Sequence, residues 1–120
     1  MTYEETPVTE DKGADTVLCR LDELEDPGSR EFRVGRRERM FVVRKEGEIH
    51  GYMNLCPHQG TVLDWKPNTF LTSEFDYILC ATHGALFEIG DGKCVYGPCL
   101  GRSLAPVKIR IEDGKVMLDE

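Results

Sequence analysis

Two short segments of the chain each combine a cysteine with a histidine. The first is Cys56-Pro57-His58 and the second is Cys80-Ala81-Thr82-His83, and each follows a predicted strand. Thiolates and neutral imidazoles bind iron and zinc, and two of each can hold the two irons of a 2Fe–2S centre, one pair on each iron. Cys56, His58, Cys80 and His83 are therefore the predicted ligands of a metal centre.

Zinc is the alternative occupant of such a site, because two cysteines and two histidines also satisfy tetrahedral coordination. Zinc sites usually group like ligands, as Cys-X-X-Cys and His-X(3–5)-His. Here each segment holds one ligand of each kind, and the first has the tight spacing Cys-X-His. The spacing favours the iron–sulfur centre and leaves a zinc-stabilised binding module without a redox role as an alternative.

The residues around these segments resemble a known family. CPHQG at 56–60 and CATHGALFEIGDGKCVYGPCLGRSLAPVKIRIEDGKV at 80–116 are similar to Rieske-type 2Fe–2S proteins, and the similarity runs from about residue 40 to the C-terminus. The resemblance implies an all-β, Rieske-type fold of three small antiparallel sheets. It also implies an inserted cluster-binding subdomain over about 54–101.

The resemblance implies a role for each ligand of one 2Fe–2S cluster per chain. Cys56 and Cys80 would hold the inner iron, and His58 and His83 the outer, solvent-near iron through which electrons enter and leave. Gly97-Pro98 is similar to the proline-containing third loop that shields the cluster in this family.

Departures from one branch of the family indicate a low reduction potential. Rieske proteins of quinol-oxidising complexes carry an extra disulfide between the ligand loops, but the matching positions here are Thr61 and Thr82. That branch also has serine and tyrosine hydroxyls near cluster sulfurs, where this chain has Ala85 and Phe87. Without these donors the reduced state is less stabilised. The pattern resembles the soluble ferredoxins of bacterial ring-hydroxylating dioxygenase systems.

Short apolar–polar runs separated by glycine turns predict an all-β fold, a sandwich or barrel of antiparallel strands. In the last hairpin, apolar residues 107, 109 and 111 alternate with basic ones, and Asp113-Gly114 is a strong turn signal. The predicted hairpins pair 39–45 with 48–54, 86–89 with 93–96, and 107–111 with 115–118, and further strands are predicted at 16–20, 31–34 and 76–80.

The length and charge of the chain limit the classes of function. Its 120 residues suit one domain over 16–120, preceded by a mobile acidic arm over 1–15. The net charge of -7 disfavours nucleic acid and anionic membranes as partners. Acidic residues near the cluster, with Asp64 and Glu88 as candidates, would steer a basic protein partner. No apolar run could cross a bilayer, and the acidic start is unlike a secretory signal, so a cytoplasmic location is expected.

Other residues that could bind metal or support the site have simpler readings. Cys19, Cys94 and Cys99 are expected to be buried thiols, because disulfides are rare in a reducing compartment. His50 is expected to be a strand residue, and Trp65 a packing residue. Backbone close to the cluster sulfurs is expected at Gln59, Gly60 and Gly84.

The number of histidines separates a carrier from a catalyst. A Rieske oxygenase also needs a mononuclear iron bound by two histidines and a carboxylate, but the chain has 3 histidines and two are assigned to the cluster. The chain is therefore expected to be no enzyme but a soluble one-electron carrier. Its expected partners are a flavin-dependent reductase and a terminal oxygenase. The alternative is the small subunit of an assimilatory NAD(P)H nitrite reductase.

Overall fold

The computed structural model describes residues 17–34, 38–57, 62–63, 68–81 and 84–119. These ranges contain one short 3-10 helix, Leu21–Glu23, and no α-helix. None of their helices has the length and hydropathy that crossing a bilayer requires. The strands are β1 (Val17–Arg20), β2 (Gly28–Arg33), β3 (Arg39–Lys45), β4 (Glu48–Met53), β5 (Ile78–Cys80), β6 (Ala85–Phe87), β7 (Cys94–Tyr96), β8 (Pro106–Val107), β9 (Ile109–Glu112) and β10 (Lys115–Leu118).

The strands form three small antiparallel sheets, which confirms the predicted all-β architecture. The strand orders are β1-β10-β9, β2-β3-β4-β8 and β5-β6-β7. The third sheet lies in sequence between β4 and β8, which are neighbours in the second sheet. The amide of Met53 donates to the carbonyl of Ala105 at 2.8 Å. The chain therefore leaves and re-enters the second sheet at one place, which agrees with an inserted subdomain; its bounds of about 54–101 stay a prediction.

The β3–β4 hairpin forms as predicted, and its turn is held by a residue from elsewhere in the chain. Glu46 and Gly47 have φ values of 54° and 83°, the left-handed pair that a two-residue hairpin turn requires. The carboxylate of Asp26 accepts hydrogen bonds from the amides of Glu46 and Gly47 at 2.7 and 2.9 Å. This carboxylate fixes where the hairpin reverses.

The strand predicted over 107–111 is wrong as one element, because the chain changes sheets within it. Val107 in β8 pairs with Gly51, whereas Ile109 in β9 pairs with Leu118. The predicted common face also fails at Ile111, which is 43% exposed. Apolar alternation is a local signal, whereas the identity of the neighbouring strand depends on distant residues. The predicted turn at Asp113-Gly114 is confirmed between β9 and β10.

Strand β3 is buried on both faces and separates two cores. Phe41 and Val43 face one core, and Met40 and Val42 face the other; all four are fully buried. The tip core comprises Phe41, Val43, Tyr52, Cys56, Leu63, Phe70, Leu71, Ile78, Cys80, Ala85, Phe87, Cys94, Cys99 and Leu104. The base core comprises Cys19, Leu24, Met40, Val42, Val116 and Leu118.

Part of the predicted domain organisation lies outside the described residues. The acidic arm predicted over 1–15 falls there entirely, and so do the predictions for Gln59, Gly60, Thr61 and Trp65. A single domain from residue 16 onward therefore stays a prediction, to which the continuity of the described sheets adds support.

Candidate metal centre

The two predicted cysteine ligands lie in the tip core. Cys56 follows the end of β4, and Cys80 is the last residue of β5. Both side chains are fully buried and belong to the same group of packed residues. The predicted histidine ligands, His58 and His83, lie outside the described residues. The structure thus places one thiol at the start of each ligand loop.

The side chain of Asn54 closes the first ligand loop, residues 55–62. Its Oδ1 accepts a hydrogen bond from the amide of Leu63 at 2.8 Å, which joins the residue before the loop to the residue after it. Its Nδ2 donates to Glu31 Oε2 at 2.8 Å, and Glu31 is ion-paired with Arg39 at 2.9 Å. Asn54 is only 3% exposed. Since a buried amide needs partners on both sides, this network fixes the base of the loop.

The second ligand loop, residues 81–84, connects β5 to β6, and its described residues show how its two ends meet. Cys80 pairs with Ala85 across the two strands, and the amide of Gly84 donates to the carbonyl of Cys80 at 2.8 Å. Gly84 has a φ of +74°, a conformation that favours glycine. The amide of Gly84 therefore joins the end of this loop to Cys80, and the expected approach of this backbone to a cluster sulfur stays a prediction.

A third loop, residues 97–102, packs against the two ligand loops. The guanidinium of Arg102 donates to the carbonyl of Pro57 at 2.7 Å. A Cβ at Gly97 would meet the Cα of Ala85 at 2.8 Å, and Gly97 has a φ of +102°. Only glycine allows this close approach. The ligand loops are also joined to each other, because the amide of Ala81 donates to the carbonyl of Leu63 at 3.0 Å.

All five cysteines are among the described residues, and each is a buried thiol, as predicted for Cys19, Cys94 and Cys99. The sulfur of Cys99 lies 3.6 Å from the sulfur of Cys56, within the range of a hydrogen bond between sulfurs. The thiol of Cys94 donates to the carbonyl of Tyr96 at 3.3 Å. Burial raises the pKa of Cys19, in the base core, to about 11.

Aromatic side chains pack beside the thiols in the tip core. Phe41 and Phe70 stack with ring centres 4.2 Å apart and planes at 4°. Tyr52 lies 5.9 Å from Phe41, and its hydroxyl donates to the carbonyl of Ile89 at 2.7 Å. Burial, with a smaller contribution from Asp91, raises the pKa of Tyr52 to about 12. The tyrosine is therefore neutral and acts as a hydrogen-bond donor.

The residues in the tip core fit an iron–sulfur group. Two fully buried thiols can supply the two thiolates of one iron, and burial beside an iron is compatible with deprotonation because the metal compensates the charge. Among the described residues, no three Cys, His, Asp or Glu side chains are grouped as a metal site. Two further ligands would have to come from the remaining residues, and both predicted histidines are among these.

His50, the third histidine, is a strand residue as predicted. It lies in β4 opposite Val43, and its Nε2 is 3.4 Å from Glu48 Oε1. A strand residue paired with an exposed carboxylate has no role in a buried thiol site.

Sequence reasoning missed Asn54 and Arg102. The only signal for Asn54 was an amide side chain two residues before a ligand cysteine, at the end of an apolar strand. Arg102 carried no local signal, because its partner Pro57 is 45 residues away.

The chain belongs to the Rieske [2Fe-2S] domain family, whose sequence pattern matches residues 14–111. The predicted cofactor is confirmed, since the domain of this family carries one 2Fe–2S cluster.

Comparison with individual proteins points to the same family. The ferredoxin component of the alkene monooxygenase system of Xanthobacter autotrophicus is 29% identical over 101 residues, 84% of this chain and 77% of that protein. The ferredoxin of carbazole 1,9a-dioxygenase from Nocardioides aromaticivorans superposes with a TM-score of 0.72 at 21% identity, over 88% of this chain and 97% of that one. In a solved complex of reduced oxygenase and oxidised ferredoxin in carbazole 1,9a-dioxygenase, the matched chain gives a TM-score of 0.69 at 21% identity, over 86% and 90%. The predicted Rieske-type fold is thereby confirmed.

Proposed function

We propose that the protein is a one-electron carrier, the Rieske-type ferredoxin of an oxygenase system. It would take electrons from a flavin-dependent reductase and pass them to a terminal oxygenase. The observation that carries the proposal is the pair of fully buried cysteines that open the two ligand loops of a Rieske domain. The similarity to a ferredoxin component over most of both lengths supports the choice of partners.

Four residues would hold the cluster in this proposal. Cys56 and Cys80 would bind the inner iron, and His58 and His83 the outer iron. When bound, such a cluster accepts and releases one electron at a potential that its hydrogen bonds and solvent exposure set. The buried position of both cysteines supports the inner role, because a thiolate pair deep in the tip core leaves the outer ligands nearer to solvent.

The protein's own residues would keep the ligand loops in place while the charge of the site changes. Asn54 joins the two ends of the first loop, Arg102 holds Pro57, and the Gly97–Ala85 contact braces the second loop. A loop fixed at several points reorganises little on electron transfer. This suits a carrier, whose rate falls as the reorganisation of its site increases.

The surface beside the loops would receive the partners. Leu55 and Leu100 adjoin Cys56 and Cys99 in sequence and are 52% and 63% exposed. They flank the loops that the Arg102–Pro57 bond holds together, and in this proposal they form part of the contact with the partners. Glu88, one of the predicted steering carboxylates, is exposed in the structure, and Asp64 lies outside the described residues. We also propose a cytoplasmic location, which five cysteines present as thiols would suit.

The chain's inventory of histidines supports a carrier rather than an oxygenase. With 3 histidines, two of them assigned to the cluster, the chain lacks the pair that a mononuclear iron site requires. The substrate chemistry would therefore take place in the partner.

Analysis of iron and acid-labile sulfide in the purified protein tests the cluster. We expect two irons and two sulfides per chain and a red-brown colour, with all three lost in Cys56→Ser and Cys80→Ser. Cys19→Ser, a buried cysteine of the base core, serves as the matched control and should retain the cluster. A colourless protein with one zinc per chain would refute the proposal and favour a zinc-stabilised module.

Electron transfer is tested with a flavin-dependent reductase and a terminal oxygenase from the source organism. NADH and the reductase should reduce the protein, and the oxygenase should reoxidise it. Reduction should slow as salt rises, because acidic residues are expected to steer a basic partner. Rates that do not depend on salt would contradict steering by acidic residues but leave the carrier function in place. Electron transfer to a nitrite reductase and to no oxygenase would favour the alternative function.

A further inference from the structure

Two buried sulfurs from different loops lie next to each other in the tip core. The sulfurs of Cys56 and Cys99 are 3.6 Å apart, although the residues are separated by 43 positions in sequence. Both side chains are fully buried. A disulfide bond is about 2.05 Å long, so a modest approach of the two sulfurs would bring them to bonding distance.

The surroundings favour this pair over pairs with Cys94 or Cys19. The thiol of Cys94 is engaged with the carbonyl of Tyr96 in its own strand, at 3.3 Å. Cys19 lies in the base core, on the other side of β3. The loops that carry Cys56 and Cys99 are also held together by the bond from Arg102 to Pro57 at 2.7 Å. The two sulfurs are therefore kept together by contacts other than their own.

We propose that Cys56 and Cys99 form a disulfide when the cluster has been lost under oxidising conditions. With hydrogen peroxide as the oxidant, two S–H bonds and the O–O bond break, and one S–S bond and two O–H bonds form. The two thiols are oxidised by two electrons, and the peroxide is reduced to two molecules of water. The inference rests on the proposed role of Cys56 as a cluster ligand.

The disulfide and the cluster exclude each other, because the same Cys56 sulfur would serve both. The bond would protect this ligand sulfur from further, irreversible oxidation. It would also keep the first and third loops joined in the protein without its cluster. A thiol reductant would then return the sulfur to the ligand set.

Peroxide treatment of the full-length protein carrying its cluster tests the proposal. The visible absorbance follows cluster loss, and chymotryptic digestion without reductant maps the disulfides. Cleavage after Leu55, Leu79, Phe87 and Tyr96 places Cys56, Cys80, Cys94 and Cys99 in separate peptides. We expect a Cys56–Cys99 linked peptide that accumulates in step with the loss of absorbance, and the loss of two of the five thiols.

Reconstitution gives a second readout. After peroxide, ferrous iron and sulfide should restore less than about one tenth of the cluster, and dithiothreitol should restore it in full. Cys99→Ala should form no disulfide with Cys56, and after peroxide its cluster recovery should be the same with and without dithiothreitol. Cys99→Ser replaces it if the alanine variant does not fold. Cys94→Ala is the matched control, a neighbouring buried cysteine, and should behave like the unaltered protein.

Three results would overturn the proposal: a dominant Cys56–Cys80 or Cys94–Cys99 link, no disulfide at all, or a linked peptide that appears before any loss of absorbance. Failure of the proposed function can be told apart from failure of the disulfide proposal, because a purified protein that never binds iron refutes the function alone. The disulfide map of that protein would then decide this proposal by itself.

Discussion

The tip core and the base core lie on opposite faces of one strand and are built differently. The base core consists of aliphatic side chains and one cysteine, closed by strands from both ends of the described chain. The tip core contains Phe41, Phe70, Phe87 and Tyr52 together with four cysteines. Its loops are positioned by polar contacts, such as those of Asn54 and Arg102.

This difference indicates a division of roles. Burial of apolar area stabilises the base without any bound group. The tip includes the two thiols that are predicted to bind iron, and loops whose conformation depends on individual hydrogen bonds. Changes in the base should therefore alter the free energy of unfolding, whereas changes in the tip should alter cluster retention and reduction potential as well.

The largest expected effect comes from emptying either face of β3. Phe41→Ala should lower the free energy of unfolding by about 3–5 kcal/mol and Met40→Ala by about 2–5 kcal/mol, the range for large buried side chains. Phe41→Ala also removes the stack on Phe70, so we expect it alone to accelerate cluster loss. Urea unfolding followed by far-UV circular dichroism and by visible absorbance separates the two effects. Equal rates of cluster loss would show that the faces are not independent.

A smaller effect is expected at the closure of the first ligand loop. Asn54→Ala leaves the buried amide of Leu63 without its partner, which should cost about 1–3 kcal/mol, and the cluster should be lost faster to a chelator. Asp91→Ala is the control, because Asp91 Oδ1 also accepts from a backbone amide, that of Lys93 at 2.9 Å, but at an exposed position outside the Asn54 network. Similar chelator rates in the two variants would contradict a special role for Asn54.

A smaller effect again is expected on the reduction potential when hydrogen-bond donors are added in the tip core. Ala85→Ser combined with Phe87→Tyr would add two hydroxyls beside the predicted cluster, at positions that are fully buried. A bond to a charged group contributes about 1.5–3 kcal/mol, and about half of this distinguishes the two redox states. The potential should therefore rise by roughly 50–150 mV, at about 59 mV per tenfold. Voltammetry measures it, with Phe32→Tyr near the base core as the control that should leave the potential unchanged.

The smallest expected effect is on the free energy of unfolding at alkaline pH, and one titratable residue in each core reports it. The neutral forms of Cys19 and Tyr52 are favoured by burial, which raises their pKa to about 11 and about 12 from ordinary values of 9.0 and 10.0. A raised pKa in the folded state means that stability is complete below the ordinary value and is lost as pH rises through the folded value. Cys19→Ala should therefore flatten the loss of stability between about pH 9 and 11. Tyr52→Phe should do so between about pH 10 and 12. Unfolding midpoints in urea across this pH range decide both, and unchanged slopes would contradict the assignment.

The sequence predicted the elements whose signals are local. The turns at Glu46-Gly47 and Asp113-Gly114 follow from two adjacent residues, and the strands around them follow from short apolar alternations. Cys56 and Cys80 are predicted to be ligands because the spacing of each to a histidine is itself a chemical signal. Their burial in one core agrees with that prediction.

What the sequence could not provide depends on residues that are far apart in the chain. The break at Lys108 requires knowing that β8 joins β4 whereas β9 joins β10. The contact of Cys56 with Cys99 requires the third loop to fold back over the first. No local sequence pattern predicts either feature, because each depends on which distant segments meet in the folded chain.

Because β3 is buried on both faces, its hydrophobic pattern does not select the register in which it pairs with its neighbours. A shift by one residue normally exposes the apolar set of a strand, but here it would exchange Phe41 and Val43 for Met40 and Val42, which are apolar as well. A register shift of one residue would therefore expose no additional apolar side chain to water. The correct register has to be selected by the shape of the packed side chains and by the turn. The ring of Phe41 fits against Phe70, and the carboxylate of Asp26 accepts the amides of Glu46 and Gly47 only when the reversal falls there. The carboxylate of Asp26 thereby favours the correctly aligned hairpin over misaligned ones during folding.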